Sequence, residues 1–290
     1  MLVQLVIGAL MIGSVYGVVG LGYGLIYKAS GLMTQAQGDM LMIGAFLGMT
    51  FYKYLGLPFV VSLVLTMLIM FLLGMLIERL LVTTLLNKGA QMVYVILCTI
   101  SISMILQNSA MFAWGSNVMQ FPPLFKTPTV NILGYQIIPE NLLCLAVGVV
   151  CMIALHFFMK NTRFGTSMRA AAQDELAAAS IGINVPATKG AAWGIASMLA
   201  GAIGVVVGPI FGVYMSMGAM VGQKAFAGAV VGGYGNMYGA IVGGMFFGFV
   251  ETFISAYVTT LYRDFISFGI LILVMVVMPT GIFREAVMED

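Results

Sequence analysis

The run MLVQLVIGALMIGSVYGVVGLGYGLIY, Met1 to Tyr27, carries no formal charge and decides the fold class. A helix needs about 20 mostly apolar residues to cross roughly 30 Å of hydrocarbon, so this run is long enough to span a bilayer. It is too long for a signal-peptide core and lacks a basic leader, and we read it as a retained span. More apolar runs follow in a chain of 290 residues that is 61% hydrophobic and 8% charged, against roughly 25% charged in soluble domains. Without water at that depth every backbone N–H and C=O must be paired internally, which leaves helices or a closed barrel. The runs show no polar/apolar alternation, which excludes the barrel. The expected fold is all-α and polytopic, one transmembrane domain over residues 1–290.

Reading between charges gives candidate spans at Leu2–Tyr27, Met40–Tyr52, Leu57–Ile77, Met92–Phe112, Leu142–Phe158, Gly190–Phe211, Ala225–Val258 and Phe265–Phe283. About eight transmembrane helices are therefore expected. Met40–Tyr52 is short for a crossing. Ala225–Val258 is long and interrupted by Gly232-Gly233-Tyr234-Gly235-Asn236, which predicts two short or re-entrant glycine-rich pieces. Glycines four apart recur at Gly13/Gly17, Gly20/Gly24, Gly44/Gly48, Gly204/Gly208/Gly212, Gly239/Gly243 and Gly244/Gly248. That spacing puts small residues on one helix face, where backbones can pack closely or slide.

One polar island interrupts the apolar chain: RFGTSMRAAAQDELAAASIGINVP, Arg163 to Pro186. Between Lys160 and Lys189 it holds six of the 22 formally charged groups. Basic residues collect in cytoplasmic loops. With the island inside, Lys28, Arg79, Lys88, Lys160, Arg163, Arg169, Lys189 and Arg284 fall inside, Lys53, Lys126 and Arg263 outside, and Lys224 is undecided. The N-terminus is then external, and Trp114–Glu140, with Pro122, Pro123, Pro128 and Pro139, is an outside loop. Within the island, Gly165–Ile181 reads as one surface helix with polar positions Arg169, Gln173, Asp174 and Glu175, capped by Gly182. Pro186 is expected to delay the next helix. Such a helix is either a solvated connector or a docking knob for a cytosolic partner.

Several function classes fall away. A net charge of +2 with no basic cluster among aromatics excludes nucleic-acid binding. Cys98, Cys144 and Cys151 lie in apolar runs without ligand spacing, so neither metal site nor disulfide frame is indicated. No nucleophile, base and orienter set is legible, so the chain is not expected to be an enzyme and needs no cofactor. It has no Gly-Lys dipeptide and hence no Walker A phosphate cradle. Any ATP-driven work would need a partner chain.

The ordered stretches Gly31–Asp39 before Met42-Ile43-Gly44, Ile77-Glu78-Arg79, Leu106-Gln107-Asn108, Met168–Asp174, Ala179–Asn184, Lys224-Ala225-Phe226 with Val231-Gly232-Gly233, and Val277–Ile282 span nearly the whole chain. On these it resembles the LivH-type permease subunits of branched-chain amino acid ABC importers. It departs at Gln37, where members often have His, and at Thr83–Lys88, where they carry more basic residues. The resemblance implies a permease in the cell (inner) membrane that moves leucine, isoleucine and valine. It implies as partners a second homologous permease subunit, two cytosolic ATPase subunits and an extracytoplasmic substrate-binding protein. In such a machine residues 160–189 would be the cytoplasmic coupling loop, with Arg169, Gln173, Asp174, Glu175, Ala178 and Gly182 as its coupling residues. Related architectures carry urea or short amides. A passive channel is a weaker rival, since no Asn-Pro-Ala pair exists to cap half-helices. An ion-coupled transporter would want more acidic groups in its spans.

An amino acid in transit needs polar partners for its amine and carboxylate, so polar residues inside spans are the candidates. Thr34, Gln35, Gln37 and Asp39 lie between an entering helix and a short one, and either face the pathway or form a plain loop capped by Asp39. Gln107 and Asn108, near Ser101 and Ser103, either bind neighbouring helices or line the path. Glu251 breaks an apolar run and serves the path or a structural pair. His156 reads as interfacial, near Lys160, and the 25 methionines as gap fillers.

Overall fold

The computed structural model describes residues 2–125, 129–132, 135–278 and 280–283. Lys126, Pro128, Pro279 and Arg284, all used in the sequence reading, lie outside the described residues. The helices are α1 (Leu2–Ser30), α2 (Gln37–Met49), α3 (Phe59–Ile77), α4 (Thr83–Asn87), α5 (Met92–Trp114), α6 (Pro139–Asn161), α7 (Arg163–Gln173), α8 (Glu175–Ser180), α9 (Val185–Phe211), α10 (Met217–Gly232), α11 (Met237–Tyr257) and α12 (Arg263–Val277). A π-helical turn at Thr50–Tyr54 extends α2, and another at Glu78–Val82 joins α3 to α4.

Among the described residues, six helices are long and apolar enough to cross a membrane: Val3–Ser30, Phe59–Asn87, Val93–Trp114, Pro139–Asn161, Val185–Phe211 and Met237–Tyr257. The expected eight therefore resolve into six long helices plus the shorter α2, α10 and α12. The interruption foreseen in Ala225–Val258 is real: α10 stops at Gly232, and Gly233, at φ +107°, turns the chain toward α11. The fold is not purely helical. In the loop after α5, β1 (Val130–Ile132) and β2 (Tyr135–Ile137) pair antiparallel, with Asn131 opposite Gln136.

Close glycine contacts set the packing. A Cβ on Gly248 would lie 2.4 Å from the Gly13 Cα, and one on Gly44 would lie 2.3 Å from the Gly201 Cα. Without side chains at these points the helix axes approach until backbones touch, which maximises dispersion where lipid offers no hydrophobic drive. The faces predicted from four-residue glycine spacing are thus contact faces. α1 runs antiparallel to α11, with Gly13 against Met245 and Gly17 against Ile241; α9 runs antiparallel to α3, with Trp193 against Gly74 and Gly201 against Met70.

The directions of the remaining helices follow from these contacts. Lys28 at the end of α1, Lys160 at the end of α6, Arg169 of α7 and Asn236 before α11 surround one cleft, so these ends share the island's side. α9 starts from the island and must run opposite to α1. α2 follows α9, with Gln37 near Ala196, Gly44 near Gly201 and Gly48 near Val205, while Gly20 of α1 meets Ala225 and Ala229 of α10 and Gly24 meets Gly235 in the turn after it. The segments α1–α2–α3 and α9–α10–α11 therefore repeat in inverted orientation and exchange partners. Arg79, Lys88, Arg163 and Lys189 join Lys28, Lys160 and Arg169 on the island side, with Lys53 and Arg263 opposite. The charge threading and the packing agree.

The island departs from its expected form. Gly165–Ile181 is not one helix but two, α7 and α8, broken at Asp174 (φ −153°, ψ 112°). The Asp174 carboxylate accepts from the Leu176 and Ala177 amides at 2.8 and 2.9 Å and so starts α8 as its N-cap. Gly182, at φ +88°, closes α8 as predicted. Pro186 does not delay the next helix: it lies in the first turn of α9, where its missing N–H costs nothing.

Candidate functional site

The first buried polar centre joins α2 to α5 and α9. Asp39 is 2% exposed, in the first turn of α2, where the helix dipole favours a carboxylate. It is not the N-cap, a position held by Ala36. Ser103 Oγ donates to Asp39 Oδ2, and Gln107 Nε2 donates to Oδ1 at 2.9 Å. Ser103 and Gln107 are one helical turn apart on α5, so one face presents both. No Lys or Arg forms an ion pair with Asp39 among the described residues. Gln37 is also buried and donates from Nε2 to the Ala196 carbonyl of α9 at 2.8 Å.

The plain-loop reading is thereby overturned for Gln37 and Asp39, which lie within a helix packed between α9 and α5, while Thr34 and Gln35 stay in the loop before it. Thr34 is fully buried and accepts from the Ala36 amide; the Gln35 amide donates to Thr99 on α5, both at 3.2 Å. Gln35 itself is exposed. Asn108 does not join the centre: its side chain is exposed and donates to the Met104 carbonyl of its own helix at 2.7 Å.

The second centre joins α1, α10, α11 and α12. Glu251, 3% exposed, accepts at Oε2 from Tyr16 Oη at 2.6 Å and at Oε1 from Lys224 Nζ at 2.6 Å, and its Oε1 also forms an ion pair with Arg263 Nε at 3.1 Å. Lys224 also pairs with Asp264 at 2.9 Å. Two cations thus meet two carboxylates. A cavity of about 120 Å³ adjoins the cluster, walled by Val15, Val207, Phe211 and Met217. Of these charged partners only Glu251 was singled out from sequence, and the structure favours its pairing role. The available signal for Lys224 was a lone lysine in an apolar run, which has to find a carboxylate.

The island is tied to the spans. Gly165 packs so closely on α6 that a Cβ would lie 2.6 Å from the Phe158 carbonyl oxygen. Glu175 pairs with Lys189 of α9 at 2.6 Å. Ala178 is 2% exposed and packs with Ala171 and Val185, so it belongs to the island's own core and is no outward contact. The outward face instead carries Arg169, Gln173, Asp174, Gly182, Leu176 (85% exposed) and Ile181 (75%). Nothing in the sequence sets those last two apolar residues apart, because an apolar side chain in an alanine-rich helix is equally able to face inward.

Spanning helices that bury a carboxylate with amide partners and, among other helices, a charge cluster are the build of a polytopic membrane transport protein. The chain belongs to the branched-chain amino acid transport system / permease component family, whose model matches residues 5–275. It is 31% identical to the high-affinity branched-chain amino acid transport system permease protein LivH of Escherichia coli K12, over 99% of this chain and 96% of that one. It is 30% identical to the corresponding protein BraD of Pseudomonas aeruginosa, over 99% and 97%. A probable permease of this kind from Methanocaldococcus jannaschii is 24% identical over 68% of this chain and 63% of its own. No solved structure matches.

Proposed function

We propose that this chain is the permease subunit of an importer that carries leucine, isoleucine and valine across the cytoplasmic membrane. ATP is hydrolysed on separate partner subunits, a second homologous permease completes the path, and an extracytoplasmic binding protein delivers the substrate. The observation that carries this reading is similarity over essentially the full length of LivH and BraD. The island side is cytoplasmic, in keeping with its seven described basic residues against Lys53 and Arg263 opposite, Lys224 being left out as a buried partner of Glu251. α2 and α10 are short membrane segments inserted as an inverted pair, meeting where Gly38 abuts Gly218 and Gly222.

The substrate ammonium passes the Asp39 centre. Asp39 is a buried carboxylate held by two neutral donors, and Gln107 beside it is half-buried. Such a group favours a cation that arrives and leaves. Force from the ATPases enters through the outward face of α7 and α8, with Leu176 and Ile181 as apolar anchors.

The test is uptake of labelled leucine by cells deprived of their own permeases and supplied with this chain and its partners. Isoleucine and valine are expected to compete, and urea not to. Competition by urea alone would replace the amino acid with a short amide. The double variant Leu176→Asp/Ile181→Asp should abolish uptake and co-purification of the ATPases at unchanged membrane abundance. Retained ATPase binding would sink the coupling assignment.

A further inference from the structure

We propose that the cleft between the island and the ends of α1 and α6 binds an anionic glycerophospholipid. The proposal rests on the membrane-spanning reading of the chain and is independent of the substrate. The cleft has a volume of about 1270 Å³ and is open on one side. That exceeds the roughly 300–1,000 Å³ usual for small-molecule sites, and suits a headgroup together with the first carbons of its acyl chains.

Three cations surround it: Lys28 closing α1, Lys160 closing α6, and Arg169 on α7. None is within ion-pairing distance of a carboxylate among the described residues, and Arg169 reaches only Thr166 Oγ1, at 3.4 Å. The acidic lining residue, Glu175, is committed to Lys189. His156 shares a hydrogen bond with Tyr238 Oη at 3.1 Å. Positive charge is thus in excess, and basic pockets between membrane helices on this side attract acidic headgroups.

The walls make the distinction between a lipid and a soluble anion. Leu21 precedes Lys28 by seven residues and Met152 precedes Lys160 by eight, so these apolar side chains lie about 10–12 Å deeper along their helices. Ile241 on α11 lines the same wall. Cationic rim above, apolar wall below, at the level where spans end: a phosphate ester on two acyl chains matches both parts, whereas a free phosphate would use only the rim. The apolar anchors Leu176 and Ile181 are not among the cleft's lining, whereas Arg169 and Gln173 of the same outward face are, so cleft and ATPase face share that edge.

Native mass spectrometry of the purified full-length chain, with phosphatidylglycerol or phosphatidylcholine added to the detergent, tests this directly. The wild type should retain phosphatidylglycerol over phosphatidylcholine. Retention should fall about five-fold in Lys28→Gln or Lys160→Gln alone and about 30-fold in the pair. Lys88→Gln, an exposed basic site elsewhere on the island side, should match the wild type. Should the double variant misfold, the single variants still give the reading. Equal retention of both lipids by the wild type, unchanged retention in folded single variants, or displacement of phosphatidylglycerol by millimolar inorganic phosphate would each overturn the proposal.

Discussion

Asp39 and Glu251 are both carboxylates buried among membrane helices, yet their partners differ in kind. Glu251 meets Lys224, Arg263 and Tyr16, so its charge is neutralised where it lies. Among the described residues, Asp39 has the neutral donors Ser103 and Gln107 and no ion pair. Losing one member of a buried pair leaves an uncompensated charge and costs about 3–5 kcal/mol, less where other partners remain. Lys224→Met should therefore lower the unfolding midpoint in detergent, and Lys224→Met/Glu251→Leu should recover part of the loss. Asp39→Asn keeps shape and most hydrogen bonding but removes the charge. We expect leucine uptake to fall about 10- to 100-fold, with little change in thermal stability. A large stability loss and proportionate uptake would move Asp39 to a structural role.

At the scale of elements, α8 exists because Asp174 leaves helical geometry and caps it. Asp174→Ala should cost about 1 kcal/mol locally, raising hydrogen exchange in Glu175–Ser180 while α7 stays protected. Helix contacts depend equally on single atoms. Gly44→Ala would drive a Cβ to 2.3 Å from the Gly201 Cα, whereas Gly8→Ala meets nothing within 4 Å. The first should destabilise by about 1–3 kcal/mol and the second should be neutral, as read from denaturation of the two variants in one detergent. Spacing alone makes the glycine faces legible in the sequence. It could not say which face met which, because every glycine pair looks alike until two helices are brought together.

At the scale of the molecule, α1 and α9 run in opposite directions and each carries the short helix and partner span of the other half. The direction of every span then follows from one fact, the side on which the island lies. Labelling with a membrane-impermeant thiol reagent checks it, in a background where Cys98, Cys144 and Cys151 are replaced. A cysteine at exposed Ile181 should react only from the cytoplasmic side, and one at exposed Tyr54 only from outside. Reaction of both from one face would refute the inverted arrangement.

Composition and charge placement were enough to determine a helical membrane protein and the existence of a polar island, because the bilayer penalises unpaired backbone and misplaced charge so heavily. The motifs were enough to point to the family. The break at Asp174 was beyond reach, since an aspartate inside an alanine-rich run is equally a helix residue and a cap until the chain bends. The partners of Asp39 and Glu251 were also beyond reach. Asp39 finds Ser103 and Gln107 more than 60 residues away, and Glu251 finds Tyr16 across most of the chain. Local pattern carries no term for such distances, so only the packing of helices decided which buried carboxylate met cations and which met neutral donors.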